Sequence, residues 1–198
     1  LEFMVDHEFA TRAEVTDVTY AILEGADVTM LSAETSKGRN PVAAVRTMRK
    51  IAKHARTRVI PLPIVPGGRP PREGDKIINA MAHPAVEFAE TLGATRIVCF
   101  THSGETPIAI AHYRPRQPVV AVTYNPETVA RLAPYAGIHV VYINYVPKDP
   151  VEHRDVCHRL LETELHIAQS GELSVVAMSM GTEEPDRRET NALYVLRH

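Results

Sequence analysis

The sequence predicts an α/β fold: a three-layer α/β/α domain whose mostly parallel sheet has about five strands, the last of them antiparallel. Two observations carry this expectation. From residue 77 onward, short β-branched runs alternate with helical patterns, as a sheet covered on both faces requires. The final two apolar runs are joined by a polar loop alone, so that pair is free to run antiparallel.

The elements follow in order. Residues 13–24 read as an acidic-capped helix, with Val15, Val18, Ile22 and Leu23 at helical spacing and Gly25 as its stop. "ADVTMLS", 26–32, reads as a buried strand. Pro41 opens a helix whose apolar positions are Val42, Val45, Met48, Ile51 and Ala52. Residues 57–75 hold five prolines and three glycines without periodicity and read as a linker. A helix over 77–92 ends at Gly93, and Pro84 marks either its true start or a kink.

Strand 95–100, helix 105–113, strand 118–124, helix 126–135 and strand 138–143 come next. A helix over 151–170 then leads to strands at 173–179 and 191–197. The strands near 95, 118 and 138 should be parallel. No internal repeat is visible.

Composition narrows the function classes. Apolar residues make up 44% of the 198, enough to bury a core, and no apolar run reaches the ~20 residues that span a bilayer. The opening residues have no basic region of a signal peptide, so a cytosolic location is expected. The net charge is −2 with scattered basic residues, which argues against nucleic acid. Cys99 falls in a strand pattern and reads as a buried thiol. Neither the two cysteines nor the ten histidines show metal-type spacing, so no metal site is expected.

Four stretches could carry chemistry. In "FTHSGET", Thr101, Ser103 and Thr106 supply hydroxyls, and Gly104 permits close backbone approach at a strand's carboxyl end. The following helix N-terminus favours an anion, and a phosphate is the natural guest. The alternative is that Ser103 only caps the helix. Glu105 adds an adverse charge there, and Pro107 removes an N–H donor. In "TYNPETVARL", Thr123 stands beside the same cleft and Asn125 reads as an N-cap.

In "MGTEEPDRRETN", Arg187 and Arg188 either reach a second phosphate or pair with neighbouring acids in a solvated hairpin loop. Thr11 and Ser32 offer hydroxyls with no base nearby in sequence, and an unactivated hydroxyl is a poor nucleophile. A hydrolase built on Ser103 with His102 or His112 is disfavoured by the lack of a Gly-x-Ser-x-Gly elbow.

Together these stretches carry a family resemblance. "TRAEVTDV", "YAILEGAD", "TMLSAETSKG" and "NPVAAVRTM" resemble the last strand–helix unit of the pyruvate kinase barrel. "FTHSGETPIAIAHYRPRQPVVAVTYNPETVARLAPYAGIHVV" and the closing "TN-x-x-x-V" resemble that family's C-terminal domain. The likeness covers nearly the whole chain and is weakest across 57–75 and 144–160. It implies a remnant of a (β/α)8 barrel over 1–56, the linker 57–75, and an allosteric and oligomerisation domain over 76–198.

The resemblance implies phosphoryl transfer from phosphoenolpyruvate to ADP, with magnesium (or manganese) and potassium serving the parent enzyme. The barrel lysine, arginine and metal carboxylates belong upstream of this chain, so no cofactor is expected within it and the chain alone is expected to be inactive. Thr11 matches the family's active-site threonine, and Ser32 a serine near the proton-relay path. Thr101, Ser103, Gly104 and Thr106 match the loop that holds an effector phosphate.

By the same resemblance, His102 stands where many members have lysine, Glu105 stands where fructose-bisphosphate-responsive members often have arginine, and the last loop lacks a Gly-rich run. These departures count against fructose 1,6-bisphosphate and leave a sugar monophosphate or AMP as the expected effector, with no effector at all as the alternative. The expected partners are that effector, the missing barrel portion, and further copies of the chain in a homo-oligomer. A stand-alone, non-catalytic domain binding a phosphorylated metabolite is the alternative.

Overall fold

The computed structural model describes residues 1–59, 76–145, 150–166, 168–178 and 192–198. The expected linker over 57–75 therefore falls almost wholly outside the described residues. The chain divides into two compact units, Leu1–Ile60 and Pro61–His198.

The first unit is helical. A 3-10 turn, Glu2–Val5, precedes α1 (Arg12–Glu24), the short α2 (Ala33–Ser36) and α3 (Pro41–Arg56). Gly25 ends α1 in the left-handed region at φ 106°, which glycine adopts without a Cβ penalty. Both α1 and α2 pack on α3. The buried face of α3 is Ala44, Met48, Ile51 and Ala55, spaced four, three and four apart as one helix face requires. Val42 and Val45, also apolar positions of this helix, are 56% and 52% exposed.

The expected strand over 26–32 is not formed, and residues 1–59 contain no strand. A strand needs a neighbour to take its N–H and C=O groups, and the unit supplies none. Val28 and Met30 stand 61% and 83% exposed instead of buried.

The second unit is the expected three-layer domain. Its elements are α4 (Lys76–Thr91), β1 (Arg96–Phe100), α5 (Glu105–His112), β2 (Val119–Thr123), α6 (Pro126–Leu132), β3 (Ile138–Tyr142), α7 (Pro150–His158), a π-helical segment (Arg159–Glu164), β4 (Leu173–Met178) and β5 (Ala192–Arg197). The sheet order is β3-β2-β1-β4-β5. Its first four strands are parallel and β5 runs antiparallel to β4.

β1 and β2 are buried along their whole length, so their side chains alternate between two cores. Ile97, Cys99, Val119, Val175 and Ala177 face one, closed by Ala82, Ala85, Val86 and Ala89 of α4 and Ile110 of α5. Val98, Phe100, Val120, Val122, Val176 and Met178 face the other, closed by Val156 and Cys157 of α7 and by Leu160 and Leu161. Removing one such aliphatic side chain down to alanine costs about 2–5 kcal/mol.

The structure excludes one of the two readings of Pro84, a helix start, and shortens the helix expected over 151–170. α4 runs from Lys76 through Pro84, which neither starts nor ends it. The helix expected over 151–170 changes to π geometry after His158 and stops at Glu164. The Leu165 N–H donates five residues back to the Leu160 carbonyl at 2.8 Å. His166 then takes φ +51°, a left-handed conformation that a right-handed helix does not continue through.

Candidate functional site

The sheet order places the site. The chain runs β1, β2, β3 outward in one direction, then returns to lay β4 on the other side of β1. This reversal lies between β1 and β4, and ligands of open α/β sheets bind in the crevice beyond the carboxyl ends of the strands at such a point. The loop of Thr101 to Thr106 leaves β1 there. β4 ends alongside, since Cys99 pairs with Ala177 and Met178 is the last strand residue. Arg187 and Arg188, in the connection after β4, lie outside the described residues.

The loop is held by its own hydroxyls and by α6. The Gly104 N–H donates to Thr101 Oγ1 at 2.8 Å, and the Glu105 N–H lies 3.5 Å from Ser103 Oγ. Gly104 is the N-cap of α5 at φ +86°, in the left-handed region. A Cβ there would come within 3.0 Å of Leu132 Cδ2 and 3.3 Å of Thr128 Cγ2, so the loop lies flat against α6. The Thr128 hydroxyl donates to the His102 carbonyl, and Arg131 Nη1 donates to the Ser103 carbonyl at 3.0 Å.

Thr101, Ser103 and Gly104 thus come together in one turn. Thr106 sits in the first turn of α5 and is only 4% exposed. The exposed His102 ring stacks on Tyr124, with centroids 5.3 Å apart. Thr123 does not open into the cleft. It is fully buried, and its hydroxyl accepts the Asn125 N–H at 3.1 Å. Asn125 caps α6 by accepting the Glu127 N–H at 3.0 Å.

Sequence reasoning missed Arg131. Its guanidinium reaches the loop because Thr128 and Arg131, three apart, share a face of α6. That spacing in "PETVARL" was the available signal.

The other two candidates lie in the first unit. Thr11 is the N-cap of α1 in a complete capping box: its hydroxyl accepts the Glu14 N–H at 3.2 Å, and Glu14 Oε2 accepts the Thr11 N–H at 2.8 Å. Burial pushes the Glu14 carboxyl up, but hydrogen bonds from the Phe3 N–H at 2.8 Å and from Thr11 outweigh it and hold the carboxyl below its usual range. Ser32 precedes α2 without a capping side-chain bond, and its N–H donates to the buried Glu34 at 2.9 Å. Glu14 and Glu34 are engaged in helix-start contacts rather than offered as a metal carboxylate pair.

A second polar cluster lies at the opposite end of the sheet. Glu162 Oε1 receives His158 Nδ1 at 2.9 Å and His198 Nδ1 at 2.8 Å. Sequence spacing gave no sign of it, because His198 joins from β5, 36 residues further along.

Comparison with known proteins agrees with this architecture. The family model described as pyruvate kinase, alpha/beta domain, matches residues 79–196, and that of the pyruvate kinase barrel domain matches residues 1–45. A pyruvate kinase of Methylorubrum extorquens is 37% identical over 159 residues, covering 80% of this chain and 32% of the relative. Plastidial pyruvate kinase 2 of Arabidopsis thaliana is 38% identical over 149 residues, covering 73% and 25%.

A crystal structure of a Cryptosporidium parvum pyruvate kinase superposes with a TM-score of 0.78 at 30% identity, covering all of this chain and 38% of that one. Another structure of a pyruvate kinase from that organism is a complex with ADP. The chain spans roughly a quarter to a third of the length of these curated relatives. With an alpha/beta domain matched almost end to end behind a matched barrel segment, the chain belongs to the pyruvate kinase family.

Proposed function

We propose that this chain is the regulatory and subunit-interface portion of a pyruvate kinase, the enzyme that passes the phosphoryl group of phosphoenolpyruvate to ADP and releases pyruvate and ATP. The observation that carries the reading is the order of the two family matches, barrel over 1–45 and alpha/beta over 79–196. The chain alone is inactive. Its residues 1–59 hold three helices and no strand, so they cannot surround a substrate as a closed barrel does.

The exposed side chains of Phe9, Tyr20, Val28 and Met30 fit a surface covered by the remaining barrel. The Thr101–Thr106 loop holds the phosphate of an allosteric effector and does no chemistry on it. Thr101, Ser103 and Gly104 shape the cradle, α5 directs its N-terminus there, and Arg131 adds positive charge. Glu105, in the first turn of α5, disfavours a second phosphate nearby, so a sugar monophosphate or AMP suits the loop better than a bisphosphate. The working protein is a cytosolic homo-oligomer.

The test is a coupled assay of the full 198-residue chain with phosphoenolpyruvate, ADP, magnesium and potassium. Pyruvate formation at the background rate is expected. Turnover that scales with the chain's concentration would refute the inactivity.

A further inference from the structure

The cluster at the far end of the sheet gathers His158 from the end of α7, Glu162 from the π-helical segment and His198 after β5. Among the described residues it is the one group of three such side chains whose ligand atoms all lie within 4.8 Å of one another. β5 runs antiparallel, with Arg197 opposite Leu173, so His198 sits where β4 begins. That is the end opposite the Thr101–Thr106 loop. We propose that His158, Glu162 and His198 bind a divalent transition-metal ion, zinc by the chemistry of the donors.

The donor set is two imidazole nitrogens and one carboxylate oxygen, which suits zinc with water as a fourth ligand. Both imidazoles direct Nδ1 at the same Oε1, at 2.8 and 2.9 Å. Tetrahedral zinc at ordinary bond lengths needs its ligand atoms about 3.3 Å apart. Each imidazole nitrogen must therefore part from Oε1 by about half an ångström, within a set whose atoms all lie within 4.8 Å of one another. The His158 and Glu162 side chains, 37% and 38% exposed, have the freedom to do so. The His198 side chain is fully buried and fixed.

A ligating histidine is oriented by the partner of its other nitrogen. His198 Nε2 lies 2.8 Å from Ser174 Oγ, which also accepts from Arg96 Nη1 at 3.2 Å. Metal at Nδ1 places the imidazole hydrogen on Nε2, where it donates to Ser174. The positive charge of Arg96 is offset by Glu172 at 2.5 Å, so it does not oppose the ion unscreened. The π-helical segment that delivers Glu162 is itself a rare geometry that concentrates at functional sites.

The experiment titrates the full chain, free of any histidine tag, with cobalt(II) alone and records its visible d–d bands. One equivalent of tetrahedral cobalt, displaced by zinc, is expected. His158→Gln, Glu162→Gln and His198→Gln should each lower the affinity more than tenfold, and Ser174→Ala by about 10- to 100-fold. The exposed His139→Gln on β3 should leave it unchanged.

Should His198→Gln unfold the chain, nitrogen-15 spectra of the unaltered protein supply the same answer. Zinc should move the imidazole Nδ1 signals of His158 and His198, and leave His139 in place. Absence of tetrahedral bands, or affinity untouched by the His158 and Glu162 substitutions, would overturn the assignment.

Discussion

Arg131 Nη1 donates to the Ser103 carbonyl at 3.0 Å, so the helix after β2 brings a guanidinium to the loop after β1. A cation fixed there by one bond keeps other N–H groups for a ligand, because a guanidinium carries five donors. Replacing it by Gln should weaken binding of a sugar monophosphate or AMP by about tenfold or more, as loss of a charge-assisted bond does. Calorimetric titration of the two proteins checks this, with thermal melting as the control for folding.

Gly104 is held in place by geometry rather than by chemistry. At φ +86° a side chain strains the backbone, and a Cβ would press on Leu132 at 3.0 Å. Gly104→Ala should cost about 1–3 kcal/mol. Urea denaturation should show a lower midpoint with an unchanged slope.

The two thiols should be silent in the folded protein. Burial pushes the Cys157 thiol up to about 12 from an ordinary 9.0, and drives that of Cys99 up as well. A thiol-reactive disulfide should therefore label neither until the chain unfolds. The folded state holds the proton more tightly than the unfolded one, so the contribution of Cys157 is complete below pH 9 and is lost as pH rises towards 12. Cys157→Ala should flatten the fall in melting temperature over that window.

Arg96 and Glu172 should respond unequally. The Arg96 side chain is 6% exposed and Glu172 is 28% exposed, with 2.5 Å between them. Bonding to Arg96 holds the Glu172 carboxyl below its usual range. Glu172→Gln removes the countercharge from a buried guanidinium, whereas Arg96→Met removes the buried charge itself. Thermal melting should rank Glu172→Gln as the more destabilising of the two.

The C-terminal domain was legible because its signals are local. Runs such as "RIVCF" and "VVAVT" are buried on both faces, and the turns between them carry glycine or Asn-Pro. The 26–32 stretch failed for the opposite reason. Its apolar residues read as a strand, but strand formation depends on a neighbour that lies elsewhere. Val42 and Val45 belong to the apolar positions of α3 yet stay exposed, since helical spacing marks an apolar stripe without saying what covers it. The spacing of Thr128 and Arg131 puts them on one helix face but does not say that the face meets Ser103, and the meeting of Glu162 with His198 is a long-range contact with no trace in the spacing.

The most direct test of the account is a nitrogen-15 amide titration of the chain with AMP and with glucose 6-phosphate. Saturable shifts centred on Ser103, Gly104 and Glu105, weakened in Arg131→Gln, are the expected result. Shifts elsewhere, or none up to millimolar ligand, would contradict the regulatory role given to this loop.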